Sequence, residues 1–166
     1  MFEFFKKSNK KNKIKKGTSA APGTQIHFVP DLIDNLEEDH KILLTTFGQI
    51  KTAFEANNYK VVKQKLTQFR RALTDHLLTE NVRLYIYLDH SFSADDMNGQ
   101  LVRSFRSEMN DIAKAVMAFL NKYEKIDLNS PLASSFGTDL EHIGAALVER
   151  IKREENTLYP LYLPQY

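Results

Sequence analysis

The chain has 166 residues, a formal net charge of +2 and no cysteine, which excludes disulfides, thiolate nucleophiles and sulfur-ligated metals. Apolar residues make up 42% and charged residues 27%, the balance of one ordinary globular domain with a sizeable core. No apolar run approaches the roughly 20 residues of a membrane span, and Met1–Phe5 is too short for the apolar core of a leader, so a cytoplasmic location is expected.

Charge is unevenly placed. Residues 1–16 carry seven Lys and one Glu, whereas the remainder carries 16 basic and 20 acidic residues. Residues 1–27 therefore read as a basic, disordered tail ahead of a mildly acidic domain at 28–166. Phe2, Phe4 and Phe5 beside the lysines suggest peripheral contact with an anionic membrane or another polyanion. No specific nucleic-acid recognition is expected.

From Pro30 onward the apolar period is helical. A first helix is expected from Asp31 to about Asn57, carrying Leu32, Leu36, His40, Leu43, Phe47 and Ile50 at three- and four-residue steps. A second runs from about Tyr59 to Leu88, through Val62, Leu66, Phe69, Leu73, His76, Glu80 and Leu84. Ser93 and Asp96 resemble a capping box for a third helix over about 94–125, with the stripe Leu101, Phe105, Met109, Ile112, Val116 and Phe119. A fourth is expected from about Leu132 to Tyr159, stopped by Pro160, and the aromatic segment 158–166 should fold back over the bundle end. Four helices near 40 Å long, joined by short connections, predict an all-α, up-and-down antiparallel four-helix bundle.

The second and fourth helices align without gaps at an offset of 74 residues. Leu66, Leu73, His76, Glu80, Leu84 and Tyr85 fall on Leu140, Leu147, Arg150, Glu154, Leu158 and Tyr159. The first and third align at an offset of 69, with Leu36, Asp39, His40 and Leu43 on Phe105, Glu108, Met109 and Ile112. The apolar stripes are interrupted by His40, His76, Glu80, Arg150 and Glu154. Burying ionisable groups is costly unless they are paired or hold a metal, so five of them on three helices mark a metal site, working or derived.

The motifs Leu36-Glu-Glu-Asp-His40, Asp75-His76-Leu-Leu-Thr-Glu80-Asn-Val-Arg-Leu-Tyr85 and Arg150-Ile-Lys-Arg-Glu154-Glu-Asn-Thr-Leu-Tyr-Pro160 resemble the hemerythrin-like HHE cation-binding family. The resemblance implies a bundle whose core holds two metals, normally iron, that bind oxygen or nitric oxide or take part in redox sensing or iron handling. It places His40, His76, Glu80 and Glu154 at ligand positions, with Glu155 able to substitute for Glu154. It also marks Phe105, Met109 and Arg150 as positions where the family carries His. By that resemblance one metal has lost its histidines while the other keeps both of its own.

Two arrangements then stay open. His40, His76, Glu80 and Glu154 hold one Fe, Zn or Mn ion, with the Arg150 guanidinium replacing the charge of the lost metal. In the other arrangement Arg150 and the carboxylates close a metal-free polar network. Either way, the expected role is a non-catalytic regulatory, signalling or interaction module with a protein partner. The alternative is a mononuclear metal sensor or store. No catalytic triad, phosphate loop or Cys nucleophile argues for an enzyme. Arg103, Arg106 and Lys114 read as a solvated face, and His27, His90 and His142 lie outside the pattern.

Overall fold

Each apolar stripe becomes a buried helix face in a computed structural model, which describes residues 20–165. The long helices are α1 (Leu32–Glu55), α2 (Tyr59–Thr79), α4 (Met97–Lys122) and α5 (Ala133–Arg153), with a short α3 (Ile86–Ser91) continuing the line of α2. Between α2 and α3 lies a π-helical turn, Glu80–Tyr85; a second one, Glu154–Leu158, follows α5 and leads into a 3-10 turn, Tyr159–Leu161. The described residues form no strand, only a single β-bridge between Ala20 and His27.

Two apolar clusters show how the rods alternate. One gathers Ile50 and Ala53 from the end of α1, Val62 from the start of α2, Phe119 from the end of α4 and Phe136 from the start of α5. The other gathers Leu32 and Leu36 from the start of α1, Leu84 and Leu88 beyond α2, Val102 from the start of α4, and Leu158 beyond α5. Starts and ends swap from one helix to the next, which is the antiparallel four-helix bundle. Between the clusters lies a buried polar layer of His40, His76, Glu80, Arg150 and Glu154.

The connections follow local chemistry. Asn57 adopts φ 53°, a left-handed conformation that Asn tolerates better than most residues, and Asn58 caps α2 by accepting a hydrogen bond from the Val61 amide. The third long helix starts at Met97 rather than Ala94, because Asp96 alone caps it, accepting from the Asn98 amide at 2.9 Å. Gly99 is required there, since a Cβ would lie 2.1 Å from the Ser93 carbonyl oxygen. The second and fourth helices are not continuous α-helix as expected; each changes to a π turn at its buried glutamate. Pro160 sits in the first turn of the 3-10 segment, where its missing N–H costs nothing.

Residues 20–27, which composition assigned to the tail, make a turn against the bundle. Ala21 is buried and its amide donates to the Ile26 carbonyl at 2.8 Å, so backbone pairing and one small apolar anchor suffice where side chains are polar. The expectations for residues 1–16 lie outside the described residues. The C-terminal segment does fold back: Tyr162 packs between Phe28 and Tyr87, and its hydroxyl accepts from the Val29 amide. No helix among the described residues is long and apolar enough to cross a membrane.

Candidate metal centre

Helical spacing puts His76 and Glu80 on one face of α2 and its extension, one turn apart, and Arg150 and Glu154 on the matching face of α5. His40 enters from α1. The structure brings His40, His76, Glu80 and Glu154 together: each offers one ligand atom, and all four atoms lie within 4.8 Å of one another. All four side chains are at most 3% exposed. Phe105 and Met109 of α4 and Arg150 of α5 are also buried beside them.

Both histidines are anchored from outside. His40 Nδ1 pairs with Glu155 Oε1 at 2.8 Å, and His76 Nδ1 lies 3.4 Å from Asp39 Oδ2. A carboxylate on Nδ1 fixes that nitrogen as the protonated one and leaves Nε2 as a free lone pair. The Nε2 atoms face inward, 3.1 Å from Glu154 Oε2 for His40 and 3.8 Å from Glu80 Oε1 for His76. Glu155 therefore does not stand in for Glu154; it orients His40.

The π turns add what spacing alone missed. Five residues of α-helix would carry a side chain about 140° around the axis, whereas a turn closed from i to i+5 returns it towards the same side. Glu80 and Tyr85 consequently both point into the core, as do Glu154 and Tyr159. Tyr159 donates to Glu80 Oε1 at 2.9 Å and lies 3.2 Å from His40 Nε2. The other oxygen of Glu80, Oε2, is buried without any hydrogen-bond partner.

Arg150 organises the opposite side of the layer. Its Nε donates to Glu154 Oε1 at 2.5 Å, and one terminal nitrogen donates to the Tyr85 hydroxyl at 2.9 Å. The guanidinium carbon sits 4.6 Å from the centre of the Phe105 ring, a cation–π geometry. Glu108 lies 3.5 Å from Arg150 and is bound more tightly by Arg153, at 2.6 Å. Glu154 thus bridges, one oxygen to Arg150 and the other towards His40.

Protonation follows these contacts. Burial, reinforced by the nearby charge of Glu154, pushes the Glu80 carboxyl up to about 8. Burial also works against ionising Glu154, but hydrogen bonding to His40 and the charge of Arg150 outweigh it and hold that carboxyl below its ordinary value. His40 is desolvated too, yet its hydrogen bonds to Glu154 and Glu155 raise it. His76 is lowered by burial and then by repulsion from His40. Burial, with the charges of Glu80 and Glu154, keeps the Tyr159 phenol protonated.

A cavity of about 20 Å³ adjoins the cluster, lined by Leu43, Phe47, Leu73, Met109, Leu147 and Ile151 among others. It has room for one water-sized molecule.

The family model for the hemerythrin HHE cation-binding domain matches residues 31–162. The chain belongs to that family. Neither the curated proteins nor the solved structures compared with it gave a match. Within this hemerythrin-like bundle, His27, His90 and His142 are exposed and take no part in the site. Arg106 pairs with Asp89, Arg103 reaches the Ala94 carbonyl, and Lys114 lies near Asp111 on the surface.

The residues present could hold a metal ion. Inward imidazole nitrogens, two carboxylates and an orphaned carboxylate oxygen form a donor set suited to Fe, Zn or Mn. On the other side of Glu154 stand the Arg150 guanidinium, the Phe105 ring and the Met109 thioether.

Proposed function

We propose that this hemerythrin-like domain binds a single transition-metal ion through His40, His76, Glu80 and Glu154, and acts as a non-catalytic metal sensor or store. The observation that carries the reading is the pairing of two carboxylate-anchored histidines with Glu80 Oε2. The Nδ1 partners turn both lone pairs inward, and the unpartnered oxygen lies buried beside them. Structural ion-pair networks satisfy their buried atoms; this one leaves its acceptors facing each other.

Counting protons sharpens the point. Tyr159 has one hydroxyl proton, which it gives to Glu80 Oε1, so its oxygen, His40 Nε2, Glu154 Oε2 and Glu80 Oε2 compete as acceptors. Without a cation the cluster needs one additional proton on His40 and one on Glu80. A divalent ion replaces both at once. When bound it supplies Lewis acidity and, in the case of iron, a one-electron couple. The protein's own contribution is to fix the imidazole tautomers, share Glu154 with Arg150 and exclude bulk water. With its ligands buried and a cavity of about 20 Å³ beside them, the site has no room for an organic substrate, which supports a sensing or storage role over turnover.

The tight Arg150–Glu154 pair favours one second reading, a metal-free bundle kept as an interaction scaffold. Elemental analysis of tag-free protein, with His76→Ala as control, separates the two. About one ion per chain, lost in the control, supports the single-ion centre. About two ions per chain, or none after anaerobic iron loading, refutes it; the second result leaves the scaffold.

A further inference from the structure

The two internal repeats relate the halves of the polar layer. At the offsets of 74 and 69, His76 corresponds to Arg150, Glu80 to Glu154, Tyr159 to Tyr85 and Asp39 to Glu108. The contacts obey the same relation: Asp39 faces His76 at 3.4 Å as Glu108 faces Arg150 at 3.5 Å. In the Arg150 half, the cation is the guanidinium, and the Tyr85 oxygen is one of the atoms that receive it, at 2.9 Å. In the other half the equivalent phenol oxygen is that of Tyr159. It lies 2.9 Å from Glu80 Oε1 and 3.2 Å from His40 Nε2, two groups of the proposed ligand set, with its ring stacked on His40 at 5.6 Å and 8°.

We infer that Tyr159 is a further metal ligand, its phenolate completing a centre that favours ferric iron. The inference rests on the single-ion reading above. On ligation the phenol O–H bond breaks, the proton leaves to solvent and the oxygen electron pair is donated to Fe(III); nothing is oxidised or reduced. Glu80, Glu154 and Tyr159 supply three negative charges, and Arg150, paired with Glu154 and near Glu108, one positive. A phenolate is a hard, anionic oxygen donor of the kind that holds ferric iron, and Fe(III) with the phenolate leaves the layer with the same charge as a divalent ion with the intact phenol. The π turn that starts at Glu154 is what delivers Tyr159 to this position.

The test is to load the full chain with ferric iron and record stoichiometry, visible absorption and resonance Raman spectra. About one iron per chain should appear together with a phenolate-to-Fe(III) charge-transfer band and enhanced tyrosinate ring modes. Tyr159→Phe should lose the band and ring modes, whereas Tyr85→Phe should keep them. Iron bound without the band, a band that survives in Tyr159→Phe, or one lost in Tyr85→Phe overturns the assignment of Tyr159 and leaves the single-ion centre standing. A parent chain that binds no iron overturns the single-ion reading and this inference with it. Should Tyr159→Phe fail to fold, the Raman modes of the parent and of Tyr85→Phe still decide whether the other buried phenol of the layer is the ligand.

Discussion

Replacing Arg150 by Met in metal-stripped protein should destabilise the bundle by an amount that depends on pH in a calculable way. The side chain volume is roughly retained, so the loss is electrostatic. Glu154 Oε1 loses its 2.5 Å partner and the Tyr85 hydroxyl loses its donor. Breaking a buried pair from one side costs about 3–5 kcal/mol. The carboxylate has an escape, since it can take up a proton. From an ordinary value of 4.5, protonation at pH 7 costs about 3.4 kcal/mol, and at pH 5 about 0.7 kcal/mol, at about 1.36 kcal/mol per unit. Adding about 1 kcal/mol for the Tyr85 bond, the variant should lose about 4 kcal/mol at pH 7 and about 2 kcal/mol at pH 5. At pH 7 that is a fall in Tm of about 10 °C for a chain of this size. Urea unfolding at both pH values, with Glu154→Gln and the double variant closing a cycle, measures it. A loss below 1 kcal/mol at pH 7, equal losses at both pH values, or no coupling between the two sites would refute the charge-replacement reasoning.

Further outcomes are expected. The folded state holds the Glu80 proton up to about pH 8, whereas the unfolded chain releases it near 4.5. The folded state therefore binds more protons across that window, and apoprotein stability should fall as pH rises through it, by a few kcal/mol. His40, raised above 6.5, adds a loss of the same sign as pH rises through its folded value. Glu154, held below 4.5, limits stability only in more acidic solution, and His76, lowered from 6.5, opposes the trend below that value. Metal-induced stabilisation should rise over the same range, since the ion displaces those protons; thermal melts with and without metal from pH 5 to 8 check both slopes. Glu80→Gln removes the carboxylate that burial penalises, so the apoprotein should gain about 1–3 kcal/mol at pH 8 while metal affinity drops at least tenfold; a less stable variant would count against the assignment. Arg150→His with Met109→His puts two imidazoles where the guanidinium and thioether now lie, and iron per chain should rise from about one to about two. No increase over the parent would mean that these positions do not face a second ion.

Much of this architecture is legible in the sequence because helices announce themselves by period. His40, His76, Glu80, Arg150 and Glu154 stand out as polar breaks in apolar stripes, and the structure buries all five in one layer. The two tyrosines were visible only as a matched pair in the repeat. Their approach to the layer depends on an i to i+5 turn, and a period of 3.6 assigns Tyr85 and Tyr159 to the wrong face. Asp39 and Glu108 likewise stand out only as a matched pair in the repeat. Each precedes a stripe residue by one position, yet each reaches back to a buried group on a neighbouring helix. The Ser93 capping box was overstated: Asp96 supplies the cap by itself, and close approach at Gly99 fixes where the chain turns.

The repeat also explains why Arg150 is compatible with a metal on the other side. A bundle core that buries Glu80 and Glu154 together faces repulsion, which a proton on Glu80 or a neighbouring positive charge relieves. A second ion would do this, but it needs a complete donor set of its own, and Phe105 and Met109 provide none. A guanidinium brings its own donors in a fixed fork. Glu154 and Tyr85 receive it, and the Phe105 ring presents its face to it, so the phenyl group that cannot ligate a metal can still stabilise a cation. Glu154 then has one oxygen committed to Arg150 and the other turned towards His40. That shared carboxylate couples the halves: an ion entering beside His40 draws on the same group that holds Arg150, and Arg150 in turn contacts Glu108 at the bundle surface. Substitution of Glu108 by Gln should accordingly shift metal affinity even though it offers no ligand to the ion, a dependence that titration of the variant against the parent would reveal.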